Sequence, residues 1–373
     1  MANTLKPINT TNDVFTDTIE KVEGMFANGA GTLEGTSMFT AALSSSDQKY
    51  FATITDAAGS SGTEFIDLAY GDSNGSGSDI GGGVNNTQYE TKAVYHAFAG
   101  TLLDDARDKF VIENVDANGN FTSAITESQM YFITPKTAVM KDRIHRNWTV
   151  TFTGSNGDQP NAESGGHVIA ATGSTLALTT YSGSNLDSGH AGKYWLVVSG
   201  SSGNSAAQGA QTVYGHFYEN YGIIALSATR LSSSIPGEDI ISGSTGTTGT
   251  ENGFGQGFAV NTATDGTAKN HLKLYNCLVS GSVSMRTVSV LNQTSYYCRA
   301  MHHEFNHTAN ETFVKADSTT GDIIDDFAAN PTVYVTGVGL YNSNSELIAA
   351  AKLNKPQKKD HNTELIVKVV LNG

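Results

Sequence analysis

Apolar and polar residues alternate with a period of two along much of this chain, the pattern of strands that bury one face. Trp148, Val150 and Phe152 alternate with Asn147, Thr149 and Thr151, and Leu365, Val367, Val369 and Leu371 alternate in the same way near the C-terminus. Further strands are predicted at Lys49–Ile54, Glu64–Tyr70, Gln129–Thr134, His167–Ala171, Leu176–Tyr181, Lys193–Val198 and Ile223–Leu226. The C-terminal third adds Leu272–Val279, Met285–Val290, Ser295–Met301, Val333–Val338, Leu347–Leu353 and Glu364–Leu371. A helical stripe stands out at Gln88–Leu103, where Val94, Phe98 and Leu102 recur every fourth residue and Asn86 or Thr87 is placed to cap. Lys136–Arg146 is basic and compatible with a second helix.

These elements predict a mainly β fold: antiparallel sheets in a sandwich-like body with one or two short helices and long Gly/Ser-rich loops. Residues 1–60 read as an N-terminal arm and first strand, and 61–153 as a β body with a helix at about 88–103. Residues 154–270 read as a Ser/Gly-rich β subdomain or insertion, and 271–373 as a C-terminal β region packing with 61–153. The stretches 200–209 and 240–252 are low in complexity and read as exposed loops. No fixed-period repeat links the strands, which argues against a propeller or solenoid.

Composition narrows the function classes. Hydrophobic residues make up 38% and charged residues 16% of the 373, against about 45% and 25% in ordinary soluble domains. With 40 Gly and only 6 Pro, the chain suits many short strands joined by Gly turns. A net charge of -14 and the absence of a dense basic block argue against direct nucleic-acid binding. The longest basic run, Lys355-Pro-Gln-Lys-Lys359, is followed at once by Asp360 and reads as a solvated turn between strands. No 18-residue apolar run and no secretory h-region are present, so no membrane partner is expected and synthesis in a cytoplasm is. Cys277 and Cys298 are read as buried thiols in a reducing compartment.

Four patterns carry candidate chemistry. His303-Glu-Phe-Asn-His307 matches the zinc-hydrolase spacing, in which two His one helical turn apart bind the metal and the Glu activates water, with Glu311 the nearest third ligand. That chemistry demands a helix, whereas the residues before it read as a strand, on which the two His lie roughly 13 Å apart at about 3.3 Å per residue. The segment is therefore read as a strand-to-loop passage, with no metal, no cofactor and no catalytic residue. Gly71-Asp-Ser73-Asn-Gly75 has the letters of a nucleophile elbow, but Ser, Gly and Asp follow it where a helix is required. As a calcium loop it would use Asp72, Asn74 and Ser76, yet Gly83 stands where the closing acid belongs, and no Lys is present for a phosphate loop. The pairs Asp104-Asp105 and Asp325-Asp326 sit at element ends and read as solvated. The aromatic clusters Tyr194-Trp195 and Phe217-Tyr218 to Tyr221 read as sheet core, with sugar stacking as the alternative.

Three blocks at the C-terminal end carry a resemblance: Tyr296 to His307, Asn330-Pro-Thr-Val-Tyr-Val-Thr-Gly-Val-Gly-Leu-Tyr-Asn342, and Glu346-Leu-Ile-Ala-Ala-Ala-Lys-Leu-Asn-Lys-Pro356. They resemble the closing segment of virion structural proteins of contractile-tailed phages, notably those of marine cyanobacteria. Ala69–Ser78, Thr91–Tyr95 with Leu102–Asp104, and Tyr221–Leu226 resemble the same family, while 154–210 is unmatched. Glu304-Phe-Asn306 would be the family's own segment, with His307 replacing its Tyr. The resemblance implies a non-enzymatic tail or baseplate component whose partners are other phage virion proteins and copies of itself. Alternative readings are a fibre protein that attaches to host glycans, a capsid decoration protein, and a zinc hydrolase at His303, Glu304 and His307.

Overall fold

Short β-rich segments in which both successive side chains are apolar need cover on both faces, and that requirement organises most of the chain. A computed structural model describes residues 5–26, 29–34, 38–40, 51–56, 62–75, 90–153, 175–183, 186–187, 190–205, 211–234, 270–308 and 310–372. In chain order the elements begin β1 (Val14–Gly24), β2 (Thr32–Glu34), β3 (Phe39–Thr40), β4 (Phe51–Thr55), β5 (Glu64–Asp72) and α1 (Glu90–Leu102). There follow β6 (Phe110–Val115), β7 (Phe121–Glu127), β8 (Gln129–Pro135), β9 (Arg143–Ile144), β10 (Thr149–Thr153), β11 (Thr175–Thr180) and β12 (Leu186–Asp187). Next come β13 (Lys193–Ser201), β14 (Asn204–Ser205), β15 (Val213–Tyr218), β16 (Ile223–Ser227), α2 (Ala228–Ser234) and α3 (Asn270–Val279). The last are β17 (Ser282–Ser284), β18 (Arg286–Ala300), a 3-10 turn at Glu311–Phe313, α4 (Asp325–Ala329), β19 (Val333–Tyr341), β20 (Leu347–Lys359) and β21 (Leu365–Asn372). The protein is mainly β, with antiparallel sheets and four short α-helices among the described residues.

The chain divides into two compact units, Lys21–Ser289 and Met1–Glu20 with Val290–Gly373. In the larger unit, thirteen strands form one antiparallel sheet in the order β2-β17-β10-β11-β13-β15-β16-β8-β5-β4-β3, with β12 and β14 pairing with β13. Both faces are buried. On β8, Tyr131 and Ile133 enter one core with Trp148, Phe152 and Phe217, while Met130 and Phe132 enter a second with Phe110, Leu196 and Tyr218. Helix α1 covers the second face through Tyr95, Ala99 and Leu102, and the Phe98 ring stacks on Phe132 at 3.9 Å. A Cβ at Gly71 would lie 2.8 Å from the Tyr95 backbone nitrogen, so only glycine lets α1 lie this close to β5. Helix α3 packs on β4, β5 and β10, over the first face.

Several sequence expectations need correction. Leu272–Val279 is helix α3 and not a strand: His271, Leu274, Tyr275 and Leu278 are buried at a helical period that the β-rich surroundings obscured. Lys136–Arg146 is a turn followed by β9, because Ile144 pairs with Thr287 of β18. The two strands expected at 285–290 and 295–301 are one continuous strand, β18. The basic run Lys355–Lys359 is not a turn but the end of β20. The stretch before the first expected strand is not all arm, since Met25, Phe26, Leu33 and Met38 are core, while Ala52 and Ile54 lie on the strand expected at Lys49–Ile54. The division between units falls at 20/21 and 289/290, and the composition changes near 60, 153 and 270 lie inside the larger one. β10 and β11 flank 153 and pair directly, so the composition change there marks a connection within one sheet. The strand predicted at 167–171, the caps at 86 and 87, and the loop 240–252 lie outside the described residues.

The smaller unit is built differently. β1 and β21 flank β18 in one sheet, with Tyr296 opposite Val369 and Cys298 opposite Val367, and β19 and β20 form a separate two-stranded ribbon. The alternation of β21 holds: Leu365, Val367 and Leu371 are half-buried and Val369 buried, while Ile366, Lys368 and Val370 are exposed. Among the described residues, its buried hydrophobic side chains are Phe313, Leu340 and Val369, and neither of the two cores extends into it. Cys277 is a buried free thiol as expected, but Cys298 is only half-buried on β18.

Candidate functional site

The zinc-hydrolase spacing sits where β18 has already ended. His302 and His303 form a turn, Glu304 and Phe305 a bend, and Phe305 takes φ +53°, so the helix that would aim two imidazoles at one metal is not formed here. Glu304 is engaged otherwise: its carboxylate accepts the Met301 backbone N–H at 2.8 Å and pairs with Lys6, and these bonds hold its carboxyl below the ordinary carboxylate range. Beneath the turn lies the buried Lys359 ammonium. It donates to the His302 carbonyl at 3.2 Å, Asn306 Oδ1 at 2.6 Å and the Asp360 carbonyl at 2.9 Å, while Asn306 Nδ2 donates back to the His302 carbonyl at 2.8 Å. His307 is exposed and Glu311 opens the 3-10 turn. Among the described residues no three His, Cys, Asp or Glu side chains are grouped to hold a metal, so the structure does not gather His303, His307 and Glu311. Sequence reading missed Lys359 because nothing in a basic run distinguishes the one lysine that folds inward.

The elbow-like segment is a capped turn. Asp72 Oδ1 accepts the backbone N–H groups of Asn74 at 2.6 Å and Gly75 at 3.1 Å, and Gly75 takes φ +90°, which glycine tolerates. The Asp72 carboxylate thus serves the backbone, and Ser76 and Gly83 lie outside the described residues. Asp105 is exposed at the end of α1 and held below its ordinary range by Arg107, while Asp325 pairs with Lys315 at 2.6 Å. Of the aromatic clusters, Trp195, Phe217 and Tyr218 are core, Tyr194 is half-buried and stacks on Tyr218, and Tyr221 alone is exposed.

A buried polar network that sequence reading did not single out ties the larger unit together. The Arg230 guanidinium donates to Asn114 Oδ1, to the Val213 carbonyl, and to the Ile112 carbonyl at 3.2 Å. Glu127 accepts from Ser227 at 2.5 Å and Thr229 at 3.0 Å, and its carbonyl accepts the Tyr95 hydroxyl at 2.7 Å. His216 is buried among Tyr194, Tyr218 and the Arg230 charge. Burial first, and Arg230 second, depress its pKa to about 4. Arg230 and Glu127 bond protein backbone and meet through Ser227, whose hydroxyl accepts the Arg230 backbone N–H at 3.1 Å, as a structural network does, while the buried His216 Nδ1 beside them has no hydrogen-bond partner among the described residues.

The surface of the smaller unit is the most unusual feature of the molecule. Leu5, Phe15, Ile19, Val290, Leu291, Met301, Phe305, Ile323, Tyr334, Tyr341, Leu347, Ile348, Ile366 and Val370 are all exposed there. The larger unit exposes only Val22, Phe51, Val111, Phe121 and Tyr221 among its described large hydrophobics. A thin sheet and a two-stranded ribbon without a shared core are marginal in water by themselves, and exposed apolar groups on this scale mark association surfaces. Among the described residues no helix is long and apolar enough to cross a membrane. A scan of protein-family models, a search of curated proteins and a search of solved structures each return no match.

Proposed function

We propose that this chain is a structural subunit of a tailed bacteriophage virion, associated with the tail or baseplate, that acts by subunit contacts rather than by catalysis. The observation that carries the reading is the smaller unit, whose apolar side chains face outward on a scaffold with almost no interior of its own. Such a unit is stabilised when neighbouring subunits cover it, as in an obligate assembly. The resemblance of the closing blocks, which lie in this same unit at Asn330–Pro356, supplies the phage and tail assignment. The larger unit, with a sheet buried on both faces, provides a stable body that does not depend on that cover.

The test is proteomic and microscopic. Mass spectrometry of purified particles should find the chain at a fixed copy number, and electron microscopy should place its density in the tail or baseplate. Density confined to fibre tips or the capsid shell would replace this reading with attachment or decoration. Absence from intact, infective particles would overturn it.

A further inference from the structure

Resting on the reading of an assembly subunit, we infer that the ribbon of the smaller unit docks on a second copy of this chain, its basic strand meeting that copy's acidic segment 311–326. The charges are segregated along the sequence. β20 carries exposed Lys352, Lys355 and Lys358, with no acidic residue between Leu347 and Lys359. Glu311, Asp317, Asp322, Asp325 and Asp326 crowd the other segment, opposed within it only by Lys315. Internal pairing uses few of them: Lys358 bonds Asp360 at 3.0 Å and Lys315 bonds Asp325 at 2.6 Å. Lys352, Lys355, Glu311, Asp317 and Asp326 have no ion-pair partner among the described residues.

Apolar groups accompany both charge sets. Tyr334, Tyr341, Leu347 and Ile348 are exposed on the ribbon, and Ile323 is exposed within the acidic segment. One surface of each sign, each with an apolar component, is the composition of a steered, partly apolar interface. Because each copy carries both surfaces, the contact made reciprocally closes a two-fold dimer, and made head-to-tail it generates a ring or a fibre. For the basic strand itself, strand addition along its outer edge is disfavoured, since Pro356 and the lysines occupy β20 and block indiscriminate edge pairing. The contact is therefore made by side chains.

The experiment measures the mass of the full chain in solution by light scattering and mass photometry, at low salt and at about 0.5 M salt, where screening is nearly complete beyond a few ångströms. The wild type should form oligomers of whole-number mass whose affinity falls about tenfold or more with salt. Lys352→Glu with Lys355→Glu should give monomer, as should Asp317→Lys with Asp326→Lys. All four substitutions in one chain should restore assembly. These sites are exposed, and circular dichroism should show each variant folded as the wild type. A monomeric wild type at low salt, or failure of the four-fold variant to reassemble, overturns the inference. A monomer that is nevertheless found in purified particles refutes this inference alone. An oligomer absent from particles refutes the virion reading alone.

Discussion

Acidification should loosen the larger unit before its carboxylates lose their partners, and His216 is the cause. Its imidazole is 5% exposed, faces Tyr194, Tyr218 and the Arg230 guanidinium, and titrates near 4 when the ordinary value is 6.5. A folded-state pKa below the unfolded one means that the unfolded chain takes up the proton first. Stability is therefore complete above about pH 6.5 and is lost as the pH falls toward 4. The gap is about two and a half pH units at about 1.4 kcal/mol each, a loss of about 3 kcal/mol across the window. That is a visible part of the roughly 5–15 kcal/mol typical of a domain. Urea unfolding followed by tryptophan fluorescence reads the right unit, because Trp148 and Trp195 both lie in its core. His216→Phe, which removes the titration while keeping an aromatic ring among aromatic neighbours, should flatten the curve between pH 6.5 and 4.5. Glu23, held at about 2 by Lys141 and Lys21, and Asp360, held at about 2 by the Thr363 hydroxyl first and Lys358 second, act mostly at lower pH and leave this window clear. Parallel loss of stability in wild type and variant would refute the assignment to His216.

Four further outcomes follow from the geometry. Arg230→Ala strips a donor from the Ile112 and Val213 carbonyls and from Asn114, and should cost about 3 kcal/mol in urea unfolding at neutral pH. Gly71→Ala places a methyl group against the Tyr95 backbone and should cost about 2 kcal/mol, read as a lowered Tm. Lys359→Met leaves the His302 carbonyl and Asn306 Oδ1 without their buried donor, and hydrogen exchange over 302–306 should rise while exchange in β8 and β13 stays unchanged. Equilibration with zinc followed by metal analysis should recover well under one equivalent per chain, unchanged by His307→Ala. One tightly held equivalent lost in that variant would reinstate the hydrolase reading.

Much of the fold was legible in the sequence because a strand's burial pattern is written at period two. Trp148, Val150 and Phe152, and Leu365 to Leu371, occupy the faces their alternation predicted. Continuous apolar runs such as Tyr131 to Ile133 and Trp195 to Val198 announced strands too, but a run without alternation does not say that each face has its own core. Helix α3 was misread for a related reason: Leu274, Tyr275, Cys277 and Leu278 are buried whichever local geometry presents them, and only packing on β4, β5 and β10 selects the helix.

What the sequence by itself determined, then, is the β class, the strand-rich C-terminal third and the helix at about 88–103. Those properties are local, set by side-chain chemistry and by spacings of a few residues. Tertiary structure alone decided that Lys359 turns inward, that Arg230 and Glu127 belong to one buried network beside His216, and that many apolar side chains of the smaller unit face solvent. Each depends on residues brought together from distant parts of the chain, and burial is a property of that arrangement rather than of any residue's own chemistry.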